Sequence, residues 1–141
     1  KMSANMKDQQ VALQSAESAI RAAEAWLFPW SARIPVQATN PGTTGVWAFG
    51  APGNFTDALH DYSWWNTNGI EYGASGSQEI MQAAEDPRYT IEERAYIPDD
   101  LNIGMDPGPK PGRFYYRITA HGYGATQSAE TILQSHFVHR F

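Results

Sequence analysis

Apolar residues recur along the first 27 positions in a helical rhythm. Met6, Leu13, Ile20 and Leu27 stand seven apart, and Val11, Ala16, Ala19 and Ala23 widen the row into a stripe. Good helix formers dominate the stretch, and Glu17 precedes Arg21 by four in the favourable order. Pro29 stops the pattern, with Trp26, Phe28 and Trp30 crowding its end. At about 1.5 Å per residue the rod is roughly 40 Å long, and an isolated helix is only marginally stable in water, so the stripe must be covered. The spacing assigns Met6, Leu13, Ile20 and Leu27 to the core, where burying each contributes about 1.5–3 kcal/mol. It leaves Gln10, Gln14 and Glu17 on a polar face, free to meet a partner. The apolar period already runs through Met2 and Met6, so Ser3 and Asn5 are poor candidates for a cap. Two readings stand at this point: a helix that continues upstream in the natural protein, or an ordinary helix behind the remnant of a tag.

The period changes after residue 28. Residues 29–56 are rich in Pro, Gly, Thr and Asn, with one strand-like run, "VWAF" at 46–49. Residues 57–74 mix aromatics with turn residues and show no clean period. "SQEIMQAAED" at 77–86 reads as a short helix capped by Ser77 and ended by Pro87, or as an irregular strand. From 88 to 141 the alternation is that of strands. Tyr89, Ile91, Ala95 and Ile97 are set against Thr90, Glu92, Arg94 and Tyr96. Phe114, Tyr116, Ile118 and Ala120 are set against Tyr115, Arg117, Thr119 and His121, and "AETILQSHFVHRF" supplies a third run. "GYGATQS" joins the last two as a hairpin in which Gly122 and Gly124 permit unusual backbone angles. The Pro- and Gly-rich segment 98–112 is a surface loop. A long helix ahead of an antiparallel three-strand meander gives a two-layer α+β domain, with the helix stripe on the sheet near Ile118.

The chain has 141 residues, enough for one domain. It has no cysteine, which removes disulfides, thiolate metal sites and thiol catalysis together. A net charge of −5 with no Lys or Arg run speaks against a nucleic-acid partner. There is no signal peptide and no apolar run long enough to span a bilayer.

Catalytic signals are weak. "GASGS" at 73–77 has Ser77 where a nucleophile elbow requires glycine. Glu79, Glu85, Glu92 and Glu93 read as solvated surface rather than a glycosidase pair. Of the histidines His60, His121, His136 and His139, the last two point to opposite faces of a strand. A turn near 125–126 places His121 opposite about Glu130 and His136 opposite about Tyr115, too far apart to chelate zinc. Calcium is the better metal expectation: "DDLNIGMD" offers Asp99, Asp100, Asn102 and Asp106, although the spacing is not that of an EF-hand. "SWWN" at 63–66 places Trp64 and Trp65 next to each other. On a strand both cannot point inward, so one is expected at a protein interface or a sugar-binding face, with core filling as the plain alternative.

Three stretches resemble the PilX-type minor pilins of type IV pili: "ANMKDQQVALQSAESAIRAAEAWL", "DPRYTIEE" at 86–93 and "YYRITAHGYGATQSAETILQSHF" at 115–137. They fall in the family's order and cover about two fifths of the chain; the region 29–85 carries no resemblance. The resemblance implies a type IV pilin fold in one headgroup, with 1–28 the C-terminal half of the pilin helix, 29–87 a variable αβ region and 88–141 an antiparallel meander. It also implies that a membrane segment precedes the helix, holds the protein in the inner membrane with a periplasmic head, and later packs in the filament. The implied role is non-catalytic. Such a protein works with other minor pilins, the major pilin and a large tip protein to initiate assembly, at or near the pilus tip, supporting twitching motility and adhesion. The alternatives are a tip pseudopilin of type II secretion and a glycan-binding adhesive module. Some pilin-like proteins use calcium, which favours that ion slightly. Many pilins close their C-terminal region with a disulfide, and this chain departs from that pattern.

Overall fold

The helical rhythm is realised as one element, α1, Met2–Leu27. The computed structural model describes residues 2–30, 36–37, 46–50, 52, 62–73, 79–98, 112–126 and 129–140. The inner face of α1 is not the row of seven-spaced residues. Ala12, Ser15, Ala16, Ala19, Ala23 and Leu27 are the buried positions, while Met6 is 65% and Leu13 40% exposed. A strict seven-residue row drifts by about 20° per heptad around a straight helix. The row therefore starts on the solvent side at Met6, is half-buried at Ile20, and reaches the core only at Leu27. Met6 and Leu13 are thus corrected from core to surface.

The meander is present. β4 (Arg88–Pro98), β5 (Gly112–Tyr123) and β6 (Glu130–Arg140) pair antiparallel in that order. Its register differs from the expected one: His121 lies opposite Ile132, and His136 opposite Arg117, so the turn is centred later than residues 125–126. A bulge between Glu93 and Ala95 breaks the alternation of β4. The sheet as a whole is mixed rather than antiparallel. β1 (Val36–Gln37) runs parallel to β2 (Val46–Ala48), and β2 runs parallel to β4. β3 (Ile70–Glu71) adds antiparallel at the start of β4. Among the described residues this makes six strands in one sheet. The parallel β2–β4 pair arises because the chain between them carries α2 (Tyr62–Asn68) and β3, which return it to the same end of the sheet.

No helix forms in the described part of 77–86. Residues 81–85 are turns and bends, and the Asp86 carboxylate accepts the N–H groups of Glu79 and Ile80 at 2.7 and 2.8 Å. That buried carboxylate satisfies the backbone donors a helix would have used, and so organises a loop. Ser77 lies outside the described residues.

α1 covers β5 most extensively, then β6 and β4. The core joins its alanines and Leu27 to Val46, Tyr89, Ile91, Phe114, Tyr116, Ile118 and Ala120. Gly122 has no unusual backbone angle: among the described residues only Gly50 and Gly73 have positive φ. Its role is close approach. A Cβ there would stand 2.5 Å from the Ala12 carbonyl oxygen and 2.7 Å from the Ala16 nitrogen, and one at Gly124 would collide with the Asp8 carbonyl. Small residues on both sides let the helix backbone rest directly on the strand.

Candidate partner surfaces

On the helix side, Gln10, Gln14 and Glu17 are exposed, as the pattern requires of a polar face. Gln10 and Gln14 also line a cavity of about 460 Å³, together with Lys7, Asp8, Val11, Gln82 and Ala125. The cleft forms because the loop leading into β4 folds against the hairpin end, where Ala84 N–H donates to the Gly124 carbonyl at 2.7 Å. Met6 and Leu13 form a separate apolar row on the rod. They lie in line with half-buried Ile20 and with Glu24, whose carboxylate accepts a hydrogen bond from Ser135 on β6.

The opposite face of the sheet has two halves. Its upper half is roofed by α2, which the residue pattern of 57–74 did not reveal. Seven residues are too few to show a period, and two adjacent tryptophans look the same in a strand or a helix. The helix separates the pair: Trp65 is 1% exposed and fully inside, while Trp64 is half-buried and stacks on Trp47 at 6.4 Å. Trp65 is therefore corrected from candidate interface to core. It stacks on His121, with centroids 5.2 Å apart and planes within 11°, and Tyr123 meets the same imidazole edge-on at 4.6 Å. Arg88 secures this roof by donating to the Gly69 carbonyl and to Asn66 Oδ1, both at 3.1 Å. His121 is 2% exposed. Burial pushes its pKa down, opposed by the hydrogen bond and charge of Glu130, whose Oε2 lies 3.2 Å from Nε2. Burial also pushes the Tyr89 hydroxyl up.

Among the described residues no helix covers the lower half. Directly opposed residues share a face, so the register lays out three rows: Ile97, Arg113, Arg140; Ala95, Tyr115, Val138; and Glu92, Arg117, His136. Glu92 is fully buried. Arg117 Nη2 donates to its two oxygens at 2.9 and 3.0 Å, and Gly50 N–H adds a third bond at 3.0 Å. Phe49, over half exposed, lies 5.1 Å under the Arg117 guanidinium and 5.9 Å from that of Arg94. Arg94, the bulged residue, donates to Nε2 of His136 at 2.5 Å.

His136 and His139 do face opposite ways: His139 sits on the helix side and hydrogen-bonds to the Phe28 carbonyl at 2.9 Å. Among the described residues no three His, Asp or Glu side chains converge to hold a metal. Asp99, Asp100, Asn102 and Asp106, the calcium candidates, lie outside the described residues, as does His60. Glu92, one of the carboxylates considered for catalysis, is committed to Arg117.

A family model described as type IV pilus assembly protein PilX C-term matches residues 31–139. Comparison with curated proteins and with solved structures gave no match.

Proposed function

Since the chain belongs to the PilX family of type IV pilus assembly proteins, we propose that it is a non-catalytic minor pilin that helps initiate the filament. In this reading it sits at or near the tip, in a complex with other minor pilins and a tip-associated protein, and supports twitching motility and adhesion. The family match carries the reading, because it spans the sheet and the region before it. Membership places the protein in the cell envelope among pilus components. Inner-membrane anchoring before assembly, with a periplasmic head, is part of the same proposal; among the described residues no helix is long and apolar enough to cross a membrane.

The geometry agrees with a docking role. An assembly protein works through surfaces, and this molecule offers an apolar row on the rod (Met6, Leu13), a polar helix face (Gln10, Gln14, Glu17) and a half-sheet that no helix among the described residues covers. The reading is tested by deleting the gene and counting surface pili. Loss of pili and of twitching, restored by the wild-type gene and not by a Met6→Asp/Leu13→Asp variant that still folds, is the expected result. Normal pili with failed protein secretion would instead place the chain at a type II pseudopilus tip. Half-buried Trp64 is the observation that favours a glycan-binding reading; quenching of tryptophan fluorescence by sugars, lost in Trp64→Ala, would establish it.

A further inference from the structure

β6 is the last strand in the sheet order, and its only strand partner among the described residues is β5. Its second edge carries a row of N–H and C=O groups that no described strand takes up. Proteins blunt such edges by keeping them very short, or with lysine, proline or a bulge. β6 has none of these devices. It runs for 11 residues, Glu130–Arg140, without lysine or proline, and its register with β5 is unbroken from end to end. The longer segments outside the described residues, 38–45, 53–61 and 99–111, join other elements; 127–128 and 141 are the ones that adjoin β6 in the chain.

The strand is complementary to itself. Its midpoint is Ser135, and an antiparallel second copy centred there sets Ile132 against Val138, Leu133 against Phe137, Gln134 against His136 and Glu130 against Arg140. Ile132 and Val138 are 40% and 47% exposed, while Leu133 and Phe137 are half-buried on the helix side. Apolar residues therefore meet on both faces, and the acidic end of each strand meets the basic end of the other. Arg140 has an interaction of its own and Glu130 reaches His121, so the pairing adds a neighbour to each rather than a first partner. Directly opposed residues share a face, so only a register changed by two residues keeps both helices on one side. The nearest such slips set Ile132 against His136 with Glu130 against Val138, or Ile132 against Arg140 with His136 against itself. Both lose the apolar outer pair, so the centred register is the favoured one.

We infer that β6 pairs edge to edge with β6 of a second copy of this chain, antiparallel and centred on Ser135. The two sheets become one across a two-fold axis, with both copies of α1 on the same side. Main-chain hydrogen bonds supply the attraction, and the side-chain pairs fix the register. The inference goes beyond the pilus-assembly reading and does not depend on it.

The chain has no cysteine, so single introduced cysteines report the geometry without background. Ser135→Cys faces its own copy at about 5 Å between Cβ atoms and should form a linked dimer on oxidation. Ile132→Cys and Val138→Cys each stand about 20 Å from their own copies; neither should link alone, and the two should link when mixed. Sedimentation of the full chain should show a monomer–dimer equilibrium. Its constant should weaken at least tenfold in Ile132→Lys/Val138→Lys, where lysines oppose each other, and recover in Ile132→Lys/Val138→Glu, where each lysine meets a glutamate. Both variants carry two charges at the same exposed sites, so their difference reads pairing rather than folding, and the cysteine series needs neither. The inference is overturned by a monomer at every concentration up to the millimolar range, as when the chain's own residues cover the edge. It is equally overturned by a dimer that links Ile132→Cys to itself, or by one indifferent to the lysines.

Discussion

The His121 imidazole is held between Trp65 and Tyr123, and its proton balance follows from that position. Burial lowers its folded pKa below the ordinary histidine value, so the unfolded chain takes up the proton first. Its stabilising contribution is complete above the ordinary value near 6.5 and is lost as pH falls through that range. Thermal melts should therefore show a falling midpoint from about pH 7 to pH 5, with Trp65 fluorescence changing in step. In His121→Phe, which keeps a planar ring on Trp65 without a proton, that pH dependence should flatten; an unchanged slope refutes the assignment. Glu92 and Arg117 form the other pair whose fate is decided locally. Arg117→Met leaves a fully buried carboxylate with only the Gly50 N–H. Since Arg117 is about one fifth exposed, a loss toward the low end of about 3–5 kcal/mol is expected in chemical denaturation. Adding Glu92→Gln should recover much of it.

At the scale of elements, the helix and its seat show both what could be read in advance and what could not. The helical period over the first 27 residues announced α1, and alternation announced β4, β5 and β6, because each was long enough to show its repeat. The inner face of α1 was misread because a seven-residue row was taken as a fixed stripe, when on a straight helix it winds away from the sheet. Two consequences can be measured. Leu27→Ala should cost about 2–5 kcal/mol, whereas Leu13→Ala should stay within about 0.5 kcal/mol; equal losses would contradict the drift. Gly122→Ala pushes a methyl into the helix backbone, which has no side chain able to give way, and should cost about 1–3 kcal/mol. If that variant melts like wild type, the direct seating of helix on strand is wrong. Sequence alone supplied the right glycines with the wrong reason, since a close approach between distant segments leaves no local trace. "VWAF" did announce β2, but not its parallel pairing, and α2 and β1 were illegible for a related reason: two- and seven-residue elements carry no period. The buried Asp86 left no signal beyond an acidic residue before a proline.

At the scale of the whole molecule, α1 closes one face of the sheet and α2 closes half of the other. β5 is flanked on both sides and covered by the helix, so its amides should be the slowest to exchange. Those of β6, whose only described strand partner is β5, should exchange faster on the outward-pointing positions. A β6 as protected as β5 would mean that its outer edge is covered in solution. The surfaces exposed among the described residues were only partly foreseeable. Gln10, Gln14 and Glu17 followed from helix phase, but the arginine face depends on three strands lying in one register, and no single stretch of sequence contains it.

The bulge at Glu93–Ala95 has a consequence for how this protein can change over time. One extra residue shifts the reading frame of β4, so the segment before it and the segment after it assign inside and outside by opposite parity. Upstream, every second residue is tied to the helix-facing core. Downstream, Ala95 and Ile97 belong to the outer face instead. Selection for a new partner can therefore rewrite the lower strand while the upper strand, and the core it supports, stays as it is. A deletion at Arg94 would merge the two frames and tie the outer face to the packing code.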